Sequence, residues 1–376
     1  MPTSNDPQAH TAHLQQPHKA GDIETFPGGQ VSYLAPLPLP TGHPAQDYGH
    51  AVGEVNDTYL DFGVGLPHIF GWQVTLGFPF SFFLVVAFLL PVLGALLVLL
   101  VGGMDAASEA LIGLFKESSK IAIYSSIAFL ALALLIWFKR YNTRHEIIPT
   151  RFNRQRCEIC VVPEGHSEPI FVPWETHSAW VIQAQGATQY GVQRQYAMGV
   201  GFHHAASGKD FCLEFPCSGL PLAISNWEAV RAYMEYEVHS LKEIQDPLDL
   251  QGPGDPPHEG LHTFRNARVR IHRRYRAGEV GGFRLFAWYL YHLMTLWTLP
   301  ARLTEWEIGA IKRMHRQDLP PAMQQWSQPL PPEQWAKPSA ELQRLSEQVR
   351  QLRKRNPQRP IIEIFAEVQG AAAKSA

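Results

Sequence analysis

From Phe62 to Met104 the chain contains no Asp, Glu, Lys or Arg, and within that stretch residues 78–102, FPFSFFLVVAFLLPVLGALLVLLVG, are almost wholly apolar. A helix rising 1.5 Å per residue over this length covers a hydrocarbon core of about 30 Å with room to tilt. Pro91 and Gly94 lie inside it, and a membrane helix tolerates them better than a soluble one does. A second uncharged run, IAIYSSIAFLALALLIWF, fills the 18 residues between Lys120 and Lys139, near the short limit for a span. The polar stretch Asp105–Lys120 separates the two, so the pair reads as a transmembrane hairpin with helices at about 78–102 and 121–138, in preference to a very apolar core helix. The chain is 45% hydrophobic and only 18% charged, and the apolar excess is concentrated here. About sixty mostly polar residues come first, which argues against a signal peptide.

Charge orients the hairpin. Its exit, KRYNTRHEIIPTRFNRQR, carries Lys139, Arg140, Arg144, Arg151, Arg154 and Arg156 against Glu146, and positive flanks stay in the cytoplasm. Everything after Phe138 is therefore expected on the cytoplasmic side, and the N-terminal segment with it. Of the 32 Lys and Arg, all but Lys19, Lys116 and Lys120 follow Phe138, as do 24 of the 34 acids, leaving that part at +5 and residues 1–138 at −7. A basic domain is held close to an anionic leaflet.

Residues 1–62 are rich in Pro, His, Gln and Gly without a sustained period, and read as a disordered, acidic cytoplasmic tail; its His10, His13 and His18 lack a visible frame for a metal. After the basic exit come short apolar runs at 157–162, 169–174, 179–184, 192–202 and 211–215, separated by Gly, Pro and Ser clusters, as in antiparallel strands. Ser225-Asn-Trp-Glu228 has the form of a capping box opening a helix whose Trp227, Val230, Met234 and Leu241 share one stripe. Residues 139–250 thus form an α+β module: a curled antiparallel sheet closed by a helix.

The order RFNRQRCEICVV (151–162), FVPWE (171–175) and NWEAVRAYMEYE (226–237) resembles an uncharacterised bacterial family of two-span inner-membrane proteins. The resemblance covers roughly residues 70–300 and implies a pleckstrin-homology-like (PH-like) cytosolic domain with Trp174 and Trp227 as core anchors. It also implies an association with type VI secretion, and it brings no catalytic residues.

Residues 251–332 read as a basic, aromatic helical region. Six arginines, Arg265, Arg268, Arg270, Arg273, Arg274 and Arg276, precede the aromatic run GGFRLFAWYLYHLMTLWTLP, with Trp288 and Trp297. These eight residues are the candidate contacts to anionic lipid or to a partner. Arg268, Arg270 and His272 alternate with Val269 and Ile271 as on a half-buried strand, while Leu285–Pro300 suits a core or interfacial helix better than a third span. Thr304-Glu-Trp-Glu307 repeats the capping-box form. In the last segment, 333–376, Ser339 can cap a helix whose Leu342, Leu345, Val349 and Leu352 offer a stripe to a partner.

The motifs that could carry catalysis are thin. His258, Glu259 and His262 spell H-E-x-x-H, but Pro256, Pro257 and Gly260 disfavour the single firm helix that two zinc-binding histidines and a base require. Cys157-x-x-Cys160 and Cys212-x₄-Cys217 could supply four thiolates, yet the first pair falls in an apparent strand, where positions three apart face opposite sides. Buried free thiols are the expectation. His203 and His204 suit a loop, and Gly199-Val-Gly201 lacks the third glycine of a dinucleotide fingerprint. The sequence therefore predicts a multi-pass inner-membrane protein with both termini cytoplasmic, without catalytic residue, metal or cofactor, acting as scaffold, adaptor or immunity factor. Its expected partners are a protein and inner-membrane lipids, not nucleic acid; self-association is compatible with this reading. A membrane-tethered zinc hydrolase using HEGLH and an anionic-lipid-binding protein are the alternatives.

Overall fold

The computed structural model describes residues 18–63, 67–145, 148–163, 168–188, 191–205, 208–245, 259–317 and 319–375. The strands are β1 (Ile23–Phe26), β2 (Gly29–Ala35), β3 (Val52–Val55), β4 (Tyr59–Phe62), β5 (Thr150–Asn153), β6 (Glu158–Val161), β7 (Ile170–Pro173), β8 (Ser178–Thr188), β9 (Gly191–His204) and β10 (Lys209–Cys217). The helices are α1 (Ile69–Leu84), α2 (Leu90–His145), α3 (Leu220–Met234), α4 (Leu241–Ile244), α5 (Leu261–Arg276), α6 (Gly282–Met294), α7 (Leu299–Gln317), α8 (Pro321–Trp326), α9 (Ala340–Arg355) and α10 (Ile361–Ser375). The chain divides into two units: one of Met1–Leu66, Ile147–Asp246 and His315–Ala376, the other of Pro67–Glu146 and Pro247–Met314.

The first unit holds two antiparallel five-stranded sheets, in the orders β1-β2-β8-β9-β10 and β3-β4-β5-β6-β7. Both contribute to one core, with Leu34, Val181 and Met198 from one sheet and Leu60, Phe152 and Ile159 from the other. Helix α3 is buried from Ala223 to Met234 and belongs to the same core, as do Leu345 of α9 and Phe365 of α10. Trp174 and Trp227 are fully buried and stack at 5.5 Å, with His177 against both rings.

Residues 23–62 are a correction to the reading as a tail, because they supply four strands. Their apolar residues come in runs too short to announce a period, and the partner that fixes β2 lies far along the chain, with Tyr33 opposite Trp180. Gly199 faces Trp180 directly across β8 and β9, and a Cβ there would sit 2.3 Å from the indole. The glycines of the Gly-Val-Gly run make room for a ring.

Two of the three capped helix starts also differ from the sequence reading. Helix α3 begins at Leu220 and stops at Met234, so Leu241 belongs to a separate short helix; Tyr236, at φ 58°, is left-handed and turns the chain away. Ser225 and Glu228 therefore lie inside α3. The Glu228 carboxylate accepts from Thr41 N and Oγ1 at 3.0 and 2.7 Å and pairs with Arg231 at 2.7 Å. Likewise Thr304 lies inside α7, where its hydroxyl donates to Pro300 O. Ser339 does cap α9, accepting from Leu342 N at 3.1 Å. The stripe of α9 offers no free docking face, since Leu342, Leu345 and Val349 are buried in the core and Leu352 packs against it.

In the second unit, α1 and α2 are joined through a π-helical turn at Val85–Leu89, just ahead of Pro91, whose missing N–H and bulky ring demand a wider turn. Residues 69–142 make one helical run long and apolar enough to cross a membrane, and only 17% of its most apolar 18-residue window is buried. The run is broken at Gly103, whose φ of 78° and ψ of −175° are essentially open to glycine alone. On either side of that break, contacts pair rising with falling numbers. Trp72 meets Trp137 at 5.0 Å, Phe78 meets Phe129 at 5.3 Å, Phe88 meets Phe115 at 5.5 Å, and Leu114 fills the space beside Gly94. The stretch Asp105–Lys120, expected as a loop, is helical; its Ala, Leu, Glu and Lys favour that state.

The two ends of this insertion are neighbours in the first unit. Strands β4 and β5 pair from Tyr59↔Asn153 to Phe62↔Thr150. Between them Arg151 and its register partner Asp61 form a buried two-pronged ion pair, with Nε and Nη2 donating to the two carboxylate oxygens at 2.6 and 2.8 Å. Arg151 also donates to Ser327 Oγ and lies over the Tyr59 ring at 3.6 Å. Burial pushes the Asp61 carboxyl up, and the hydrogen bonds and charge of Arg151 oppose that shift.

Arg151→Met strands a buried carboxylate and is expected to cost about 3–5 kcal/mol in denaturant unfolding of detergent-purified protein, whereas Arg151→Met with Asp61→Leu should recover most of the loss. A double variant as unstable as the single one would contradict this. A second prediction concerns pH. Burial lowers His177 to about 4, while its Nδ1–H bond to Trp174 O acts weakly the other way. With a folded value below the ordinary 6.5, the unfolded chain takes up the proton first, so stability falls as pH drops from 6.5 to about 4. The loss should approach about 3 kcal/mol, and His177→Phe should flatten that slope in thermal melts.

Candidate membrane-surface site

The arginine cluster lies on a helix, not a strand. Phe264, Ala267 and Ile271 recur at three- and four-residue spacing, arginine is a good helix former, and α5 runs from Leu261 to Arg276 with Phe264 and Ile271 buried. Arg265, Arg268, Arg273 and Arg276 are exposed. Arg270 and Arg274 are half-buried on the other side, and Arg274 pairs with Glu279 at 3.0 Å. The sequence grouped six arginines, and the helix divides them four and two.

Helix α6 packs onto α5 through rings. Phe264 meets Trp288, His292 and Trp297 at 5.7, 5.0 and 5.2 Å, and His272 Nε2 lies 2.6 Å from Tyr289 Oη. Trp288 is half-buried against His292, whereas Trp297 is 36% exposed and stacks on Tyr289. No residue of α6 is buried, which removes the core-helix reading of this segment. Phe283, Phe286, Leu290 and Leu293 form an exposed stripe that the sequence reading missed. Its signal was present: spacings of three, four and three residues in FRLFAWYLYHL trace one helical face.

The same unit fixes these helices to the apolar run. Glu259 Oε2 accepts from Ile69 N at 2.5 Å, satisfying an orphan donor of the first turn of α1. Tyr291 Oη donates to Gln73 Oε1 at 2.8 Å, and Ser81 Oγ donates to Met294 O at 3.0 Å. Gly77 allows Thr295 to approach so closely that an added Cβ would sit 3.0 Å from its Cα. From α7, the buried Glu307 accepts from Trp72 Nε1 at 2.8 Å. Trp306 lies 6.2 Å from both Trp137 and Tyr141, so Trp72, Trp137, Tyr141 and Trp306 form one aromatic level across three helices. Tyr and Trp rings gather in this way where hydrocarbon meets headgroups.

The chemical motifs are used differently from their textual form. His258 lies outside the described residues. Glu259 precedes α5, Gly260 is its N-cap and His262 is inside it, so Glu259 and His262 do not share one helical segment. Cys157, Cys160, Cys212 and Cys217 are free thiols, but only Cys160 is buried, as all four were expected to be; Cys157 and Cys217 are half-buried and Cys212 is exposed on the edge strand β10. Cys157 packs against the large core, but Cys160 packs with Leu319, Met323 and Trp326 on the other side. Burial pushes Cys157 up to about 11 and Cys160 up to about 12, far from thiolate chemistry at neutral pH. His203 and His204 are not in a loop but end β9, where His203 Nδ1 lies 2.6 Å from Asp210 on β10. His18 stacks on Tyr33 at 3.9 Å.

Glu307→Leu leaves the buried Trp72 indole N–H without this acceptor and should cost about 1–3 kcal/mol, read as a lowered melting temperature in detergent. An unchanged melt would show the bond to be dispensable. For HEGLH, metal analysis of the purified chain should find zinc below stoichiometry and unaffected by His262→Ala; stoichiometric zinc lost in that variant would establish a metal site. Compared with known proteins, the chain matches no family model, no curated sequence and no solved structure.

Proposed function

We propose that the protein is a two-pass protein of a bacterial inner membrane, with both termini in the cytoplasm. Its α+β unit is a PH-like module that holds a protein partner at the membrane, as scaffold, adaptor or immunity factor. The observation that carries this reading is the pairing of Phe62 with Thr150 across the apolar insertion. Residues 69–142 as one straight helix would be about 110 Å long, whereas Cα atoms of paired antiparallel strands lie about 5 Å apart. A chain that leaves and re-enters a sheet at one place crosses a bilayer an even number of times. The break at Gly103 and the mirrored ring contacts support two passes, and the exit rich in Lys and Arg supports their orientation.

Support for a non-catalytic role comes from the motifs themselves: Glu259 serves as a helix cap, and the CxxC thiols, Cys160 buried and Cys157 half-buried, are held protonated. Antiparallel sheets packed on α3 support the PH-like reading, with four of their ten strands drawn from residues 23–62 instead of from 139–250. The resemblance at 151–162, 171–175 and 226–237 adds the link to type VI secretion.

Fluorescent-protein and alkaline-phosphatase fusions at the C-terminus test the anchor. The first should fluoresce, the second should be inactive, and the chain should stay in membranes washed at alkaline pH; an active phosphatase or a released chain would refute it. Capture from native membranes through a C-terminal tag tests the adaptor role. It should recover one protein in fixed ratio, and a chain recovered alone from every preparation would contradict it.

A further inference from the structure

Two faces of the α5–α6 pair are uncovered within their unit, and their chemistries are opposite. On α5, Arg265, Arg268, Arg273 and Arg276 lie on one broad exposed face spanning roughly 140° of the helix, with exposed Val269 among them. No acidic partner of these four occurs among the described residues, in contrast to Arg274 with Glu279. On α6, the stripe of Phe283, Phe286, Leu290 and Leu293 is 84, 62, 39 and 56% exposed, while its other face packs onto α5. Depth along α1 differs too. Glu259, just before α5, reaches the first residue of α1, but Met294 at the end of α6 reaches Ser81, twelve residues or about 18 Å farther along the apolar run.

We propose that α5 and α6 together bind anionic phospholipid of the cytoplasmic leaflet. The arginine face takes the headgroup phosphates and the phenylalanine and leucine stripe enters the acyl layer. This rests on the membrane-anchor reading above and names its lipid. Guanidinium forks match phosphate oxygens in pairs. A free phosphate would use only the arginines, and a nucleic acid would leave the apolar stripe in water. A lipid answers both faces, and a basic face beside an apolar one is the two-part signature of helices lying in a membrane surface.

The test uses the full chain purified in detergent with equimolar phosphatidylglycerol and phosphatidylcholine, its bound lipids counted by native mass spectrometry. The chain should retain phosphatidylglycerol about tenfold over phosphatidylcholine. Replacing Arg265, Arg268, Arg273 and Arg276 with Gln should bring the ratio near one, and the Lys counterpart, which keeps the charge, should hold most of the preference. Inorganic phosphate at matched concentration should displace neither lipid. Equal retention by the unaltered chain, a preference that survives the Gln variant, or displacement by inorganic phosphate would overturn the proposal. A chain that resists the alkaline wash but shows no preference removes this site alone, whereas one that washes off removes the anchor beneath it.

Discussion

Strands β4 and β5 must pair although the whole apolar insertion lies between them, and the rest of the structure depends on that pairing. The closure is long in sequence, so its entropic cost has to be offset at the joint. Asp61 and Arg151 stand opposite each other there, one just before the insertion and one just after it. Their two-pronged bond is buried, and an ion pair so placed contributes less to net stability than to register. A one-residue slip would turn Asp61 and Arg151 towards the wrong face and leave both charges without partners. The pair therefore specifies where the excursion begins and ends.

A second buried charge system acts in the same way on distant segments. Glu228 of α3 holds the backbone and hydroxyl of Thr41 and the guanidinium of Arg231, and Arg231 also bonds Glu237. Arg350 on α9 reaches Glu237 at 3.0 Å. One chain of charge-assisted bonds thus links the N-terminal segment, the central helix and the C-terminal helix α9. Such bonds are stronger than neutral ones and costly to leave half-made. In the second unit Glu259 and Glu307 are used similarly, each spent on a donor of α1.

How much of this was legible follows from the range of each interaction. The apolar runs, the five strand segments between 157 and 217 and the Ser339 cap depend on neighbours in sequence, and they lie where the pattern put them. Strands β1 to β4 did not show, because Val31, Tyr33 and Leu34 make too short an alternation and their partners are at 179–184. Both apparent capping boxes misled for a related reason. A Ser or Thr three residues before Glu is a local signal, yet Glu228 and Glu307 answer Thr41 and Trp72. At the candidate site, the arginine cluster was visible as composition. Its division into an exposed four and a half-buried two required knowing that the segment is a helix, and the stripe on α6 was hidden among other aromatics.

The bend at Gly103 is where the account is most exposed to contradiction. If the clasped ends stand in the cytoplasm and the chain crosses twice, residues just after Gly103 face the periplasm. Cysteine placed at Ser108, in a chain whose native cysteines are replaced, should react with a membrane-impermeant maleimide in intact cells, while one at Lys209 should react only after lysis. Labelling of Ser108→Cys that waits for lysis, with the chain still lodged in the membrane, would mean that the insertion does not cross.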